Sequence, residues 1–160
     1  MTLMDAKQYD PRPAQRLWRL AGIAAALLVV FLVLWFWPSG RFRHWSQWNV
    51  ADSFFTALER KDFDAAYGIY FADPNWKQHP EKHSAYTINQ FNLDWGPSGE
   101  YGPITSHHVD CALKPKTYSS GVVVVVTINN KAAPRSMWVE EKDKTISDSP
   151  VGTVLCNGRQ

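Results

Sequence analysis

Residues 20–37 read LAGIAAALLVVFLVLWFW, eighteen positions without a charged or strongly polar side chain. A surface helix of that length needs a polar stripe, and this run has none. As a helix it rises roughly 27 Å, close to the ~30 Å hydrocarbon core of a bilayer. A cleavable signal puts small residues after a shorter apolar stretch. Here Ala24, Ala25 and Ala26 come before the bulkiest part, and the run ends in Trp35, Phe36 and Trp37. The pattern predicts a retained single-pass anchor over residues 17–38, with the lipid bilayer as a partner. It also predicts an interface set of Arg16, Trp18, Arg19, Trp35, Trp37, Arg41, Arg43 and Trp45.

Charge sets the expected orientation. Residues 1–43 hold six basic and two acidic side chains, a net of +4, while residues 44–160 net −2. Lys7, Arg12, Arg16 and Arg19 precede the run, and only Arg41 and Arg43 follow it closely. The positive-inside rule then predicts a cytoplasmic tail over 1–16, a juxtamembrane linker over 39–48 and an extracytoplasmic domain over 49–160. Phe42, Trp45 and Trp48 allow two readings, a stretch lying at headgroup level or aromatics packed beneath the domain. A mildly acidic body gives no footprint for nucleic acid, and none is expected as a partner.

Beyond the linker, two periods follow in turn. Ala51, Phe54, Phe55 and Leu58 fall at i, i+3, i+4 and i+7, which predicts a helix. Asp62 is placed to cap a second helix, where Phe63, Ala66, Tyr67, Tyr70 and Phe71 share a face until Asp73-Pro74 stops it. A third, weaker helix is expected from about Ser84 to Trp95, closed by Gly96-Pro97. From residue 104 the period is two. Alternation in ITSHHVDCAL puts Thr105, His107, Val109, Cys111 and Leu113 on one face and His108 and Asp110 on the other. GVVVVVTINN is apolar on both faces and predicts a covered central strand. SMWVEE and one or two short segments complete an antiparallel sheet, so the fold class is α+β.

VADSFFTALERKDFDAAYGIY (50–70), a short third helix and GEYGPITSHHV (99–109) together resemble the nuclear transport factor 2-like superfamily, closest to small anchored bacterial members of unassigned activity. The resemblance covers roughly residues 46–155 and implies three helices on a curved antiparallel sheet around a cone-shaped cavity. It also implies a bacterial inner membrane with the domain on the periplasmic side. It does not imply one function, because the superfamily hosts enzymes, binding domains and assembly domains. Lys144-Thr145-Ile146 stands where a tryptophan commonly follows the last turn of that fold.

The chemistry-bearing residues give two functional expectations. The first is a tethered, non-catalytic binding or assembly module, an accessory subunit of a membrane complex or a self-associating one. The second is a cone-pocket small-ligand binder or isomerase/dehydratase-like enzyme using His107, with Tyr67 and Tyr101 as donors. Phe55, Tyr67, Tyr70, Phe91, Trp95 and His107 are the pocket candidates. No cofactor and no metal are expected. His79 and His83 are four apart, but HPEKH lacks the glutamate of the zinc-protease motif and reads as a solvated loop. Cys111 and Cys156 permit one disulfide, or remain as two buried thiols.

Overall fold

The computed structural model describes residues 21–31 and 44–156. The chain divides into two compact units, Met1–Ser39 and Gly40–Gln160.

Of the first unit, residues 21–31 form a helix, α1, with exposed side chains. Among the described residues no helix is long and apolar enough to cross a membrane. The expected single-pass anchor is therefore corrected, and with it the inner-membrane address and periplasmic placement; the expected tail over 1–16 lies outside the described residues. Of the expected interface set, Arg16, Trp18, Arg19, Trp35, Trp37, Arg41 and Arg43 lie outside the described residues. Trp45 is the exposed first residue of a helix of the second unit.

The second unit opens with α2 (Trp45–Glu59), which begins six residues before its periodic apolar face. Ala51, Phe54, Phe55 and Leu58 are all buried, as their spacing requires. Trp48 packs against the same core. Lys61 turns the chain with φ 60°, and Asp62 caps α3 (Phe63–Tyr70) by accepting from the Ala65 amide at 3.0 Å. The chain then takes two 3-10 turns, Trp76–Gln78 and Pro80–His83, before Thr87 caps α4 (Ile88–Trp95). The third helix thus starts later than periodicity alone suggested, because the hydroxyl of Thr87 satisfies the amide of Gln90 and fixes the first turn there.

Strands β1 (His107–Leu113), β2 (Gly121–Ile128), β3 (Arg135–Glu140) and β4 (Ile146–Asp148) form an antiparallel sheet in the order β1-β2-β3-β4. Val122, Val124, Val126 and Ile128 of β2 face a core shared with α2, α3 and α4. Val123 and Val125 face a smaller core with Trp138 and Val154 on the other side. Both faces of β2 are covered, so its near-unbroken valine run is what such a strand demands.

Strand β1 departs from strict alternation. Val109 pairs with Val126 and Cys111 with Val125, so Asp110 is an extra residue and the register shifts there. A bulge reverses the side-chain phase beyond it. Val109 and Ala112 therefore join the helix-side core, while Cys111 and Leu113 pack against the opposite one. The expected common face of Val109, Cys111 and Leu113 is corrected accordingly.

On that opposite face Cys111 is joined to Cys156. The bond ties β1 to the segment following β4, which is not a strand. The amide of Val154 donates to the buried Ser136 Oγ at 2.8 Å. Closing a loop of this length contributes about 4 kcal/mol in the chain-entropy account.

Candidate functional site

His107 stands first among the expected site residues. Its ring is stacked on Phe55 at 5.5 Å. Nδ1 lies 2.6 Å from Glu59 Oε1 and Nε2 3.2 Å from Asp52 Oδ1. Asp52 and Glu59 are two turns apart on α2, so the imidazole bridges one helix face to the edge strand β1. With 8% of its side chain exposed and both nitrogens engaged, it is a strut and lines none of the cavities described here.

The interior of the expected cone is filled. Phe55, Tyr67 and Phe91 are fully buried, and Phe54 meets Phe55, Phe91 and Trp95 edge-on at centroid separations of 5.1, 6.1 and 5.0 Å. Edge-to-face stacking of this kind adds to area burial and leaves little free volume. The Tyr67 hydroxyl donates to the Tyr86 carbonyl at 2.6 Å. Phe55, Tyr67 and Phe91 are core residues, not pocket walls.

Tyr70, Trp95 and Tyr101 meet at a different place, a groove of about 750 Å³ between α4 and the end of the sheet. Tyr86, Leu93 and Asp94 form one wall, and Arg135 and Asp148 the other. Tyr101 stacks on Trp95 at 6.2 Å with the rings 13° from parallel, and Lys131 Nζ stands 5.2 Å from the Tyr101 ring. Alternation puts Arg135 on the face of Met137 and Val139. It is paired with Asp148 and lies 3.6 Å from Glu100. Its Nε is buried without a hydrogen-bond partner. A second hollow of about 400 Å³ shares Glu100, Tyr101, Arg135 and Asp148 with the groove.

The electrostatics favour neutral tyrosines. Burial, then the nearby Asp94, pushes Tyr86 well above the usual phenol value, and its hydroxyl donates to Asp94 Oδ2 at 2.8 Å. Burial also raises Tyr70, reinforced by Asp148, and Tyr101, reinforced by Glu100. Asp94 Oδ1 also accepts from the side-chain Nε2 of Gln90 at 2.9 Å. Asp94 and Asp148 thus already accept hydrogen bonds.

Sequence reasoning reached Tyr70, Trp95 and Tyr101, but not Tyr86, Asp94, Arg135 or Asp148. Only the parity of Arg135 with Met137 and Val139 in RSMWVE offered a signal. The histidine pair also differs from expectation. His83 has 10% of its side chain exposed and His79 27%, and both face Asp73, because the two 3-10 turns fold the loop back on α3. Comparison with protein-family models, with curated proteins and with solved structures finds no match to this chain.

Proposed function

We propose that residues 44–156 form a non-catalytic binding module whose working face is the groove between α4 and β4. Its ligand is an extended segment of a partner protein. The observation that carries this reading is the pair of adjoining hollows walled by Tyr70, Tyr86, Trp95, Tyr101 and Arg135. Aromatic side chains and arginine dominate the energetics of protein interfaces, since they bring large area at low entropic cost. Strand β4 is an edge of the sheet and contributes to both hollows. An edge strand offers main-chain groups to an added segment while the hollows take its side chains.

The helix–helix–helix–sheet order supports the nuclear transport factor 2-like reading. The groove's size also suits a small molecule. His107 lines neither hollow and has both ring nitrogens engaged, which speaks against the isomerase or dehydratase alternative.

The test is site-specific photo-crosslinking in the native host. A benzophenone at the exposed Leu93, on the groove wall, is expected to give one discrete protein adduct. The same probe at Tyr118, outside the groove, is expected to give none. Equal adducts at both positions, or none at Leu93, overturn the proposal. A small molecule retained by the purified protein and lost from a Tyr101→Ala variant overturns the choice of ligand.

A further inference from the structure

Outside the groove, Asp73, His79 and His83 form the one group among the described residues whose ligating atoms cluster within 4.8 Å. Local structure assembles it. Ala72 turns the chain off α3 with φ 53°, and the Asp73 amide donates to the Gly68 carbonyl at 2.8 Å. Asp73 Oδ1 is used locally, accepting from the Asn75 amide at 3.0 Å. Oδ2 is left to face the loop that returns through the 3-10 turns. His79 precedes Pro80, the first residue of the second turn, and His83 is its last. The two rings thereby reach the same oxygen, His79 Nδ1 at 3.0 Å and His83 Nε2 at 3.0 Å. Phe71, at 4.4 Å, and Tyr67, at 5.9 Å, hold the His83 ring.

We propose that Asp73, His79 and His83 bind a divalent first-row transition metal ion, with Zn²⁺ the expected occupant. The strongest observation concerns His79 Nδ1. It is buried and, although 3.0 Å from the carboxylate, makes no hydrogen bond. A buried polar atom left unbonded beside two other ligand atoms is costly unless a third atom completes it. Spacing agrees with a shared ion. Donors about 2.1 Å from one metal stand roughly 3.0 Å apart at a right angle and roughly 3.4 Å apart at the tetrahedral angle.

The donor set selects the ion. Two imidazoles and one carboxylate suit zinc and its neighbours, whereas Mg²⁺ and Ca²⁺ require oxygen ligands throughout. Three protein ligands leave at least one position for water or an exogenous donor. Since His79 retains an exposed ring edge, that position has a route to solvent. The ion would also clasp the 73–83 loop to the end of α3.

The experiment is calorimetric titration of the untagged, chelator-treated full-length chain with Zn²⁺ alone, and separately with Mg²⁺. One Zn²⁺ per chain at micromolar affinity or tighter is expected, with no response to Mg²⁺. His79→Gln and His83→Gln are each expected to weaken Zn²⁺ binding at least ten-fold, while His108→Gln, on another element, leaves it unchanged. His83 is packed among aromatics, so the more exposed His79→Gln is the deciding variant if His83→Gln misfolds. Absence of Zn²⁺ binding, or binding that His79→Gln leaves intact, overturns the site and identifies the cluster as an ion pair alone. Failure here leaves the groove reading untouched, because none of the three proposed ligands lines the groove.

Discussion

His107 Nδ1 and Glu59 Oε1 lie 2.6 Å apart across 48 residues of sequence, joining β1 to the last turn of α2. Asp52 holds the other ring nitrogen at 3.2 Å, and Phe55 supports the ring face. A hydrogen bond to a charged group in a largely dry setting contributes roughly 1.5 to 3 kcal/mol. His107→Ala is therefore expected to destabilise the domain by about 2 to 3 kcal/mol in urea unfolding. Asp52→Asn, at an exposed side chain, is expected to cost under about 0.5 kcal/mol. Equal effects would show that the ring is not the strut.

Reduction should loosen one face of the sheet selectively. The Cys111–Cys156 bond holds the segment whose Val154 covers Val123, Val125 and Trp138. A thiol assay of the unreduced protein is expected to detect no free thiol, since no described cysteine is free. Cys156→Ser is expected to lower stability by up to about 4 kcal/mol and to expose Trp138 to quenchers. Unchanged quenching in that variant would mean that the segment is held by its other contacts.

Gly121 is constrained from outside its own backbone. A Cβ there would lie 2.5 Å from Cε2 of Trp138. That indole has little room to retreat, because its Nε1 donates to Glu140 at 2.8 Å and Tyr118 meets it edge-on at 6.0 Å. Gly121→Ala is expected to cost about 1 to 3 kcal/mol through forced repacking. Near-ultraviolet circular dichroism of the tryptophan band should change with it, and an unaltered band would refute the clash.

Helices α2 and α3 and the covered strand β2 were legible because each follows one unbroken period. Ala51, Phe54, Phe55, Leu58, Ala66 and Tyr67, at the expected spacings, and the valines of β2 are buried. What escaped the sequence depends on a single inserted residue or on distant partners. Nothing in VDCAL announces that Asp110 is a bulge, yet that one residue sends Cys111 and Val109 to opposite cores. Asn129 stands in the Asn129-Asn130 pair after β2. It adopts φ 50° and bonds Thr105, Ser106 and Pro103 at once, fixing the approach to β1. The groove draws Tyr86, Asp94, Arg135 and Asp148 from separate segments, which no local pattern brings together. The apolar run of eighteen uncharged residues suggested a span, and among the described residues no helix is long and apolar enough to cross a membrane.

Alkaline titration reads the core and the groove together. Tyr67, Tyr70, Tyr86 and Tyr101 are all raised above the usual phenol value, in each case first by burial. The folded state therefore binds these protons more tightly than the unfolded chain, whose phenols ionise near pH 10. The resulting stability is fully present below about pH 10 and is lost as pH rises through the folded values. Unfolding followed by circular dichroism is expected to become easier only above that point. The phenolate absorbance of these four tyrosines should then appear in one cooperative step with the loss of structure, because their buried rings release protons when water reaches them. A smooth phenolate titration of every tyrosine near pH 10, with the fold intact, would mean that the Tyr67–Tyr86 and Tyr86–Asp94 bonds do not hold in solution.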